Sequence, residues 1–129
     1  MEINKFNHAM FKFCKRLTET NKTYTDRFNH IDSVVFAPVK GGQRFVKVKS
    51  FENRFHTDYD DKGKATKTLI KDTKGSIHCF VEKETGNVFK PAGWRAPYLK
   101  GKNAVRGNIH DLSCIPDNAN MCGGWLYII

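Results

Sequence analysis

Long apolar runs are missing from this 129-residue sequence, and their absence excludes several classes of protein. No stretch approaches the roughly 20 consecutive apolar residues that a membrane-spanning helix needs, so no membrane association is predicted. The first residues, MEINKFNHAMFKFCKRL, also lack the apolar block and small-residue cleavage site of a secretion signal. We therefore predict a soluble cytoplasmic protein with a single domain over 1–129.

Cysteine and histidine are sparse, with four and five copies, and none of them has a metal-ligand spacing. There is no CxxC pair, no histidine at zinc-finger distance from a cysteine pair and no HExxH. The run DYDDKGK does not follow the spacing of an EF-hand calcium loop. Reduced thiols are the default in a cytosol, although a disulfide between Cys114 and Cys122 stays open. We predict neither a metal nor a cofactor.

Acidic residues are outnumbered, 13 against 22 lysines and arginines, which gives a net charge of +9. They are absent from residues 3–18, 33–51 and 85–110, which carry four, four and five basic side chains. If this segregation along the chain persists in space, one face of the protein attracts polyanions. The alternative is a solubilising coat of lysines spread evenly over the surface.

The spacing of apolar residues predicts an amphipathic helix over 3–18. Residues on one stripe recur at intervals of three and four, and these are Ile3, Phe6, Met10, Phe13 and Leu17. Lys5, Lys12 and Arg16 fall on another face of this helix. The polar run TETNKTYTD is predicted to end it.

Strand signals dominate the rest of the chain. Residues 33–51 predict a hairpin around KGG, and residues 75–90 predict a second hairpin around ETGN. Residues 52–74 are interpreted as a long loop or a hairpin tip, and the terminal WLYII as a buried or edge strand. The predicted fold is α+β, a mainly antiparallel sheet of four to six strands with the N-terminal helix packed on it.

The second strand of the first hairpin is a candidate binding surface. Alternation predicts that Val46 and Val48 face the core while Lys47 and Lys49 face the other way. Phe45 and Phe51 bracket these lysines on that outer face, an arrangement that suits a nucleic-acid strand. Aromatic residues flanking lysines are also common on ordinary half-buried strands.

The segment KPAGWRAPYLKGKNAVRGNI, residues 90–109, is the leading candidate site. It combines five basic side chains, two prolines and three glycines with no acid, the ingredients that phosphate binding needs. The predicted contacts with nucleic acid or another anion are Lys90, Trp94, Arg95, Lys100, Lys102, Arg106 and Asn108, joined by Lys47 and Lys49. The alternative is that Trp94 and Tyr98 pin a proline-rich crossover onto the core.

Catalytic signatures are weak. His78 lies in a predicted strand, His110 precedes Asp111, and His56 lies two residues before Asp58. Such groups suit acid–base chemistry in a nuclease. Nothing local resembles a nucleophile elbow or a pair of catalytic carboxylates, so we assign no catalytic residue.

Two stretches, IHCFVEKETGNVFKPAGWRAP and AVRGNI, resemble a group of small phage-encoded proteins. Members of that group carry a strand, a TGD or TGN turn, a V-[YF]-K-x-A-x-W-[KR]-A-P segment and a closing RGNI. Where they read APAKGARGNI, this chain has the longer APYLKGKNAVRGNI. The resemblance implies a viral protein in the host cytoplasm and transfers no catalytic residue.

The leading hypothesis is a non-enzymatic, phage-type accessory protein that binds nucleic acid, or an acidic host protein, through the basic segment. One alternative is a small nuclease or nucleotide-processing enzyme that uses His78 or His110. Another is an inhibitor of a host or defence protein. The oligomeric state is left open, with a homodimer through the apolar tail as one option.

Overall fold

The computed structural model describes residues 3–39, 42–120 and 123–127, and it shows one helix packed on an antiparallel sheet. The elements are α1 (Ile3–Thr25), β1 (Ile31–Val39), β2 (Phe45–Tyr59), β3 (Ala65–Ile70), β4 (Ser76–Glu82), β5 (Asn87–Phe89) and β6 (Gly107–Asn108). Short 3₁₀ helices follow at Leu112–Cys114 and Gly124–Leu126. No helix of the described residues is both long and apolar enough to cross a membrane. The predicted α+β class is confirmed.

Helix α1 extends beyond its predicted end. The stripe Phe6, Met10, Phe13 and Leu17 is buried, as predicted. The polar run was wrongly expected to end the helix, because its threonines bond to the helix itself. Thr20 donates its hydroxyl to the Leu17 carbonyl, and Thr25 donates to an earlier carbonyl in the same way.

A hydroxyl fastens α1 to the edge of the sheet. Thr18 Oγ1 accepts the backbone N–H of Phe36 in β1 at 3.1 Å and donates to the Cys14 carbonyl at 2.9 Å. Two residues later in β1, Pro38 has no N–H to offer. The outer edge of β1 is therefore closed at these positions to a further strand.

The sheet has the strand order β1-β2-β4-β5-β6, with β3 paired to the far half of β2. Arg54 pairs with Ile31 on β1 and with Ile70 on β3, so β3 lies on the opposite side of β2 from β1. Beyond Arg54, β2 and β3 form a two-stranded hairpin, which we call the β2–β3 arm (54–70). The interpretation of residues 52–74 as a hairpin tip holds only for residues 60–64, which join the two strands, and the alternative of a long loop is wrong.

The two faces of β2 have different roles. Val48 and Ser50 are buried on the helix side, and Val46 packs against the same core. The odd-numbered residues from Phe45 point away from α1. The two predicted hairpins are both present, although Lys40 and Gly41, at the KGG turn, lie outside the described residues.

A bulge in β4 moves His78 into the core. Val48 pairs with Cys79 and Lys49 pairs with Ile77, so His78 is an extra residue on β4. Its ring lies 4.9 Å from that of Phe36, between centroids. Simple alternation along β4 would place His78 on the same face as Phe80 and Glu82, and the bulge breaks that alternation.

The C-terminal aromatic segment packs as a 3₁₀ turn, so the strand predicted there is wrong for its described part. Gly123 adopts a left-handed conformation (φ 70°) that starts the turn, and Trp125 and Leu126 are buried. The indole N–H of Trp125 donates to His78 Nε2 at 3.0 Å. The final two residues lie outside the described residues. So does Cys122, one of the two cysteines of the disulfide that the sequence left open.

The thiols of the described residues are structural. Burial raises the pKa of Cys14 to about 12 and that of Cys79 well above its ordinary value. The pKa of the half-buried Cys114 is also raised, chiefly by burial. These protonated thiols are poor nucleophiles and poor metal ligands.

Glu82 gives the fold a measurable pH dependence. It accepts hydrogen bonds from the Thr85 hydroxyl at 2.7 Å and from Arg44 at 2.9 Å, which lower its pKa below the ordinary 4.5. Its stabilising effect is therefore complete above pH 4.5 and is lost as the pH falls through the lower folded-state value. We expect Glu82→Gln to lose about 1.5–3 kcal/mol of unfolding free energy at pH 7.

Urea unfolding between pH 7 and 3 measures this effect. The wild type should lose stability below pH 4.5, and the Glu82→Gln variant should show a shallower loss. Glu84→Gln is the control, because Glu84 is exposed. Identical pH profiles for wild type and Glu82→Gln would contradict the assignment.

Candidate nucleic-acid interface

The centre of the candidate site is a short pinned loop, the Trp94 loop (91–97). The backbone N–H of Tyr98 donates to the Lys90 carbonyl at 2.9 Å, and that of Ala92 donates to the Ala96 carbonyl at 3.0 Å. An isolated bridge joins Pro91 and Pro97 at its base. The loop is therefore a small hairpin-like excursion with Trp94 at its tip.

Trp94 presents its ring to solvent. Its exposed fraction is 69 %, and the adjacent Arg95 is exposed as well. The alternative that Trp94 pins the crossover onto the core is therefore wrong. Tyr98 is also partly exposed, and its ring contact is with Lys90.

Lys90 holds the base of the loop to the C-terminal turn. Its ammonium lies 4.5 Å from the ring centroid of Tyr98 and 4.9 Å from that of Tyr127. Such cation–π contacts fix a lysine in place without removing its charge. Lys90 thus positions the Trp94 loop and adds positive potential beside it.

A groove lies between the Trp94 loop and the start of β4. It has a volume of about 300 Å³ and is lined by Ser76, Ile77, Pro91, Ala92, Gly93 and Trp94. Ile77 pairs directly with Lys49, so their side chains are neighbours on one face of the sheet. Lys49 Nζ donates to the Lys74 carbonyl at 3.1 Å, which holds its charge near the groove.

Lys47 lies on the same outer face. It pairs with Phe80, which in turn pairs with Phe89 on β5, and the rings of Phe45 and Phe89 are 5.9 Å apart. Phe80 and Phe89 are buried, so Lys47 lies next to firmly packed apolar side chains. The two lysines of the first hairpin thus share a face with the groove of the Trp94 loop.

The basic side chains predicted at the site are not neutralised by nearby acids. Among the described residues, no carboxylate lies within 4.0 Å of the charged groups of Lys47, Lys49, Lys90, Arg95, Lys100, Lys102 or Arg106. Arg16, Arg44 and Arg54, in contrast, each pair with a carboxylate. The basic segment around Trp94, which has no acidic residue in the sequence, therefore also has no carboxylate of the described residues within 4.0 Å of its charged groups.

The remaining predicted residues lie apart from the groove contacts. Lys100 and Lys102 are exposed on a turn around Gly101, whose φ of 90° suits glycine. Arg106 is half-buried before β6, and its Nε is buried with no hydrogen-bond partner among the described residues. No contact of the described residues joins these three side chains to the Trp94 groove.

Asn108 has a structural role. Its amide donates to the Thr85 carbonyl and to Asn87 Oδ1, both at 3.0 Å, and its Oδ1 accepts the His110 N–H. The Ile109 N–H donates to the Gly86 carbonyl. We therefore assign Asn108 to the internal structure and exclude it from the proposed contacts.

These bonds join the TGN and RGNI motifs in space. A side chain on Gly86 (φ 78°) would lie 2.9 Å from the His110 ring, and one on Gly107 would lie 2.7 Å from Cys114 Sγ. Both positions therefore require glycine. The two motifs are thus hydrogen-bonded to each other beside the β5–β6 pair, and the chain between them includes the Trp94 loop.

The three candidate histidines differ in their access to a substrate. His56 is exposed and pairs with Asp58 at 2.9 Å. His78 is 3 % exposed and accepts the Trp125 indole N–H, so a substrate does not reach it. His110 is exposed. The neighbouring Asp111 accepts hydrogen bonds from the Ser113 hydroxyl and N–H, and these bonds lower the pKa of Asp111. Across residues 3–39, 42–120 and 123–127, no three His, Cys, Asp or Glu side chains are grouped to hold a metal.

Two surfaces were missed by the sequence reasoning. One is the odd-numbered face of the β2–β3 arm, where Tyr59 is 72 % exposed. The alternation that singled out Lys47 and Lys49 continues to Tyr59 and was a usable signal. The other is an apolar groove between α1 and β1 beside the exposed Phe11, which depends on tertiary packing and has no local signal.

Comparison with known proteins gives a family and no function. Neither the curated proteins nor the solved structures contain a match to the chain. A family profile matches residues 1–128, which is almost the whole sequence. The chain belongs to DUF7717, a family of unknown function.

Proposed function

We propose that this protein is a non-enzymatic, phage-type accessory protein that binds nucleic acid through the Trp94 loop. The observation that carries the proposal is the exposure of Trp94, which is 69 % exposed at the tip of a hydrogen-bonded loop. Its ring lines a groove next to Lys49, and the basic side chains of the site have no carboxylate partner among the described residues. Exposed aromatic rings that stack on bases, combined with cations for phosphates, are typical of strand-binding proteins. The resemblance to small phage proteins supports a role in the host cytoplasm.

Each side chain has a defined task in this proposal. Trp94 stacks on a base, while Lys49 and Arg95 contact the phosphates on either side of it. Lys100 and Lys102 extend the positive surface from their exposed turn. Lys90 holds the loop in place between two tyrosine rings.

A fluorescent 20-nucleotide single strand tests the proposal. With four phosphate contacts, log K should fall with log[salt] with a slope near −3, at about 0.7 per contact. No cleavage products should form with or without divalent cations. A missing or salt-independent association would overturn nucleic-acid binding, and product formation would favour the nuclease that uses His110.

The second candidate function is inhibition of a host or defence protein. It is favoured by the groove between α1 and β1, which has a volume of about 520 Å³ and an apolar lining that includes Met10, Phe11 and Val35. Phe11 is 66 % exposed there. Capture of one host protein that survives nuclease treatment and is lost in Phe11→Asp would support this function over nucleic-acid binding.

A further inference from the structure

We infer that the bound nucleic acid is a single strand whose path continues from the Trp94 groove along β2 onto the β2–β3 arm. This inference rests on the proposed function and extends it to a second contact region. The observation behind it is the odd-numbered face of β2, whose alternation is unbroken over the whole strand. Between Lys49 and Phe55 this face carries the half-buried Phe51, which lies against Gly75, and Asn53, whose amide bonds to Ser33 and to the Asp72 N–H.

The continuity follows from the pairing register. The irregularities in the sheet insert extra residues in β1 and β4, and β2 itself has none. Side chains at every second position of β2 therefore share one face. That face carries, in order, Phe45, Lys47, Lys49, Phe51, Asn53, Phe55, Thr57 and Tyr59. At about 3.3 Å per residue, Lys49 and Tyr59 are about 33 Å apart along the strand.

Strand β3 widens this face on the arm. Leu69 lies opposite Phe55, and Lys67 lies opposite Thr57. The Lys67 ammonium is 5.9 Å from the Phe55 ring centroid. Leu69 is 43 % exposed. The face therefore offers the Leu69 side chain and aromatic rings to solvent, together with the Lys67 ammonium.

The acids of the arm's strands lie on the opposite face. On the even-numbered side Arg54 pairs with Glu52 at 2.8 Å and His56 pairs with Asp58 at 2.9 Å. Lys67, on the odd-numbered side, has no carboxylate within 4.0 Å among the described residues. The arm thus has one face that carries the carboxylate of Asp58 and one aromatic face that carries Lys67, and only the second continues to the Trp94 groove.

Two arguments select a single strand as the occupant. Aromatic rings stack on bases whose faces are free, and duplex bases are already stacked on each other. A track of about 33 Å is long enough for several nucleotides, in keeping with the roughly 4–16 nucleotides that known strand-binding folds cover. A second copy of this chain is a poor occupant, because Lys67 on β3 and Lys64 and Lys71 at its two ends would bring like charges together.

Thymidylate oligonucleotides of 4 and 12 nucleotides separate this inference from the proposed function. The test variant is the double substitution Tyr59→Ala and Lys67→Ala, at two exposed positions. We expect the double variant to bind the 4-mer like the wild type and the 12-mer at least tenfold more weakly. His56→Ala with Thr68→Ala, on the opposite face of the arm, is the matched control and should bind both like the wild type.

Each outcome has a separate meaning. If the double variant binds the 12-mer like the wild type, the arm is not part of the track, and the proposed function stands. If a 12-base-pair duplex binds the wild type as tightly as the 12-mer, the single-strand assignment is overturned. If the wild type binds neither oligonucleotide, the proposed function itself fails.

Discussion

Replacing Arg95, Lys100 and Lys102 together by glutamine is expected to weaken nucleic-acid binding about 100-fold at 0.1 M salt. Each lost phosphate contact lowers the salt slope by about 0.7 on a single strand, so three contacts lower it by about 2. If both proteins bind equally at 1 M salt, a slope difference of about 2 makes the variant bind about 100-fold more weakly at 0.1 M. Stability should be unchanged, because all three side chains are exposed and lack ion-pair partners among the described residues.

Fluorescence anisotropy over a salt series measures this effect. The matched control is Lys5→Gln, Lys12→Gln and Lys22→Gln, which removes the same charge from exposed positions of α1. If net charge alone attracts the nucleic acid, the two triple variants lose affinity equally, and the proposed site is contradicted. Arg106, which sequence reasoning grouped with Lys100 and Lys102, is kept out of this variant because its Nε is buried.

The second large effect is expected at the two tryptophans, which the structure assigns opposite roles. Trp125 is 8 % exposed, donates to His78 and has an edge-to-face contact with Phe13 at 6.5 Å between centroids. We expect Trp125→Ala to lose about 3–5 kcal/mol of unfolding free energy, because it leaves a cavity in the core and removes the hydrogen bond to His78. That loss is a large part of the stability of a small domain.

Trp94→Ala is the matched substitution and should show the reverse behaviour. Its unfolding free energy should change by less than about 0.5 kcal/mol, as expected for an exposed side chain. Its binding to a single strand should weaken about 5- to 150-fold, the range of a lost stacking contact. Urea unfolding and anisotropy on both variants check this, and a Trp94→Ala protein that unfolds early but binds normally would refute the assignment.

Local sequence signals predicted the fold where local interactions decide it. The stripe from Phe6 to Leu17 and the turn at Gly86 were recognised because helix periodicity and positive-φ turns depend on neighbouring residues. The continuation of α1 to Thr25 was missed because its hydroxyls satisfy backbone carbonyls inside the helix. The bulge at His78 was missed because it depends on how β4 pairs with β2.

The candidate site was predicted in composition and only partly in geometry. The acid-free, glycine- and proline-rich segment around Trp94 indicated a surface loop, and the structure places Trp94 at its tip. The position of Lys90 between Tyr98 and Tyr127 was not predictable, since Tyr127 comes from a distant turn. Asn108 was assigned to binding as part of the basic, glycine-rich segment that suits a phosphate, and only the contacts with Thr85 and Asn87 identify its internal role.

The central claim is that Trp94 contacts the nucleic acid while Trp125 belongs to the core. Fluorotryptophan labelling gives one fluorine resonance for each of the two tryptophans, assigned by single substitutions. On titration with a 12-nucleotide single strand, the Trp94 resonance should shift in proportion to saturation while the Trp125 resonance stays in place. A bound protein in which the Trp94 resonance does not move would contradict the account.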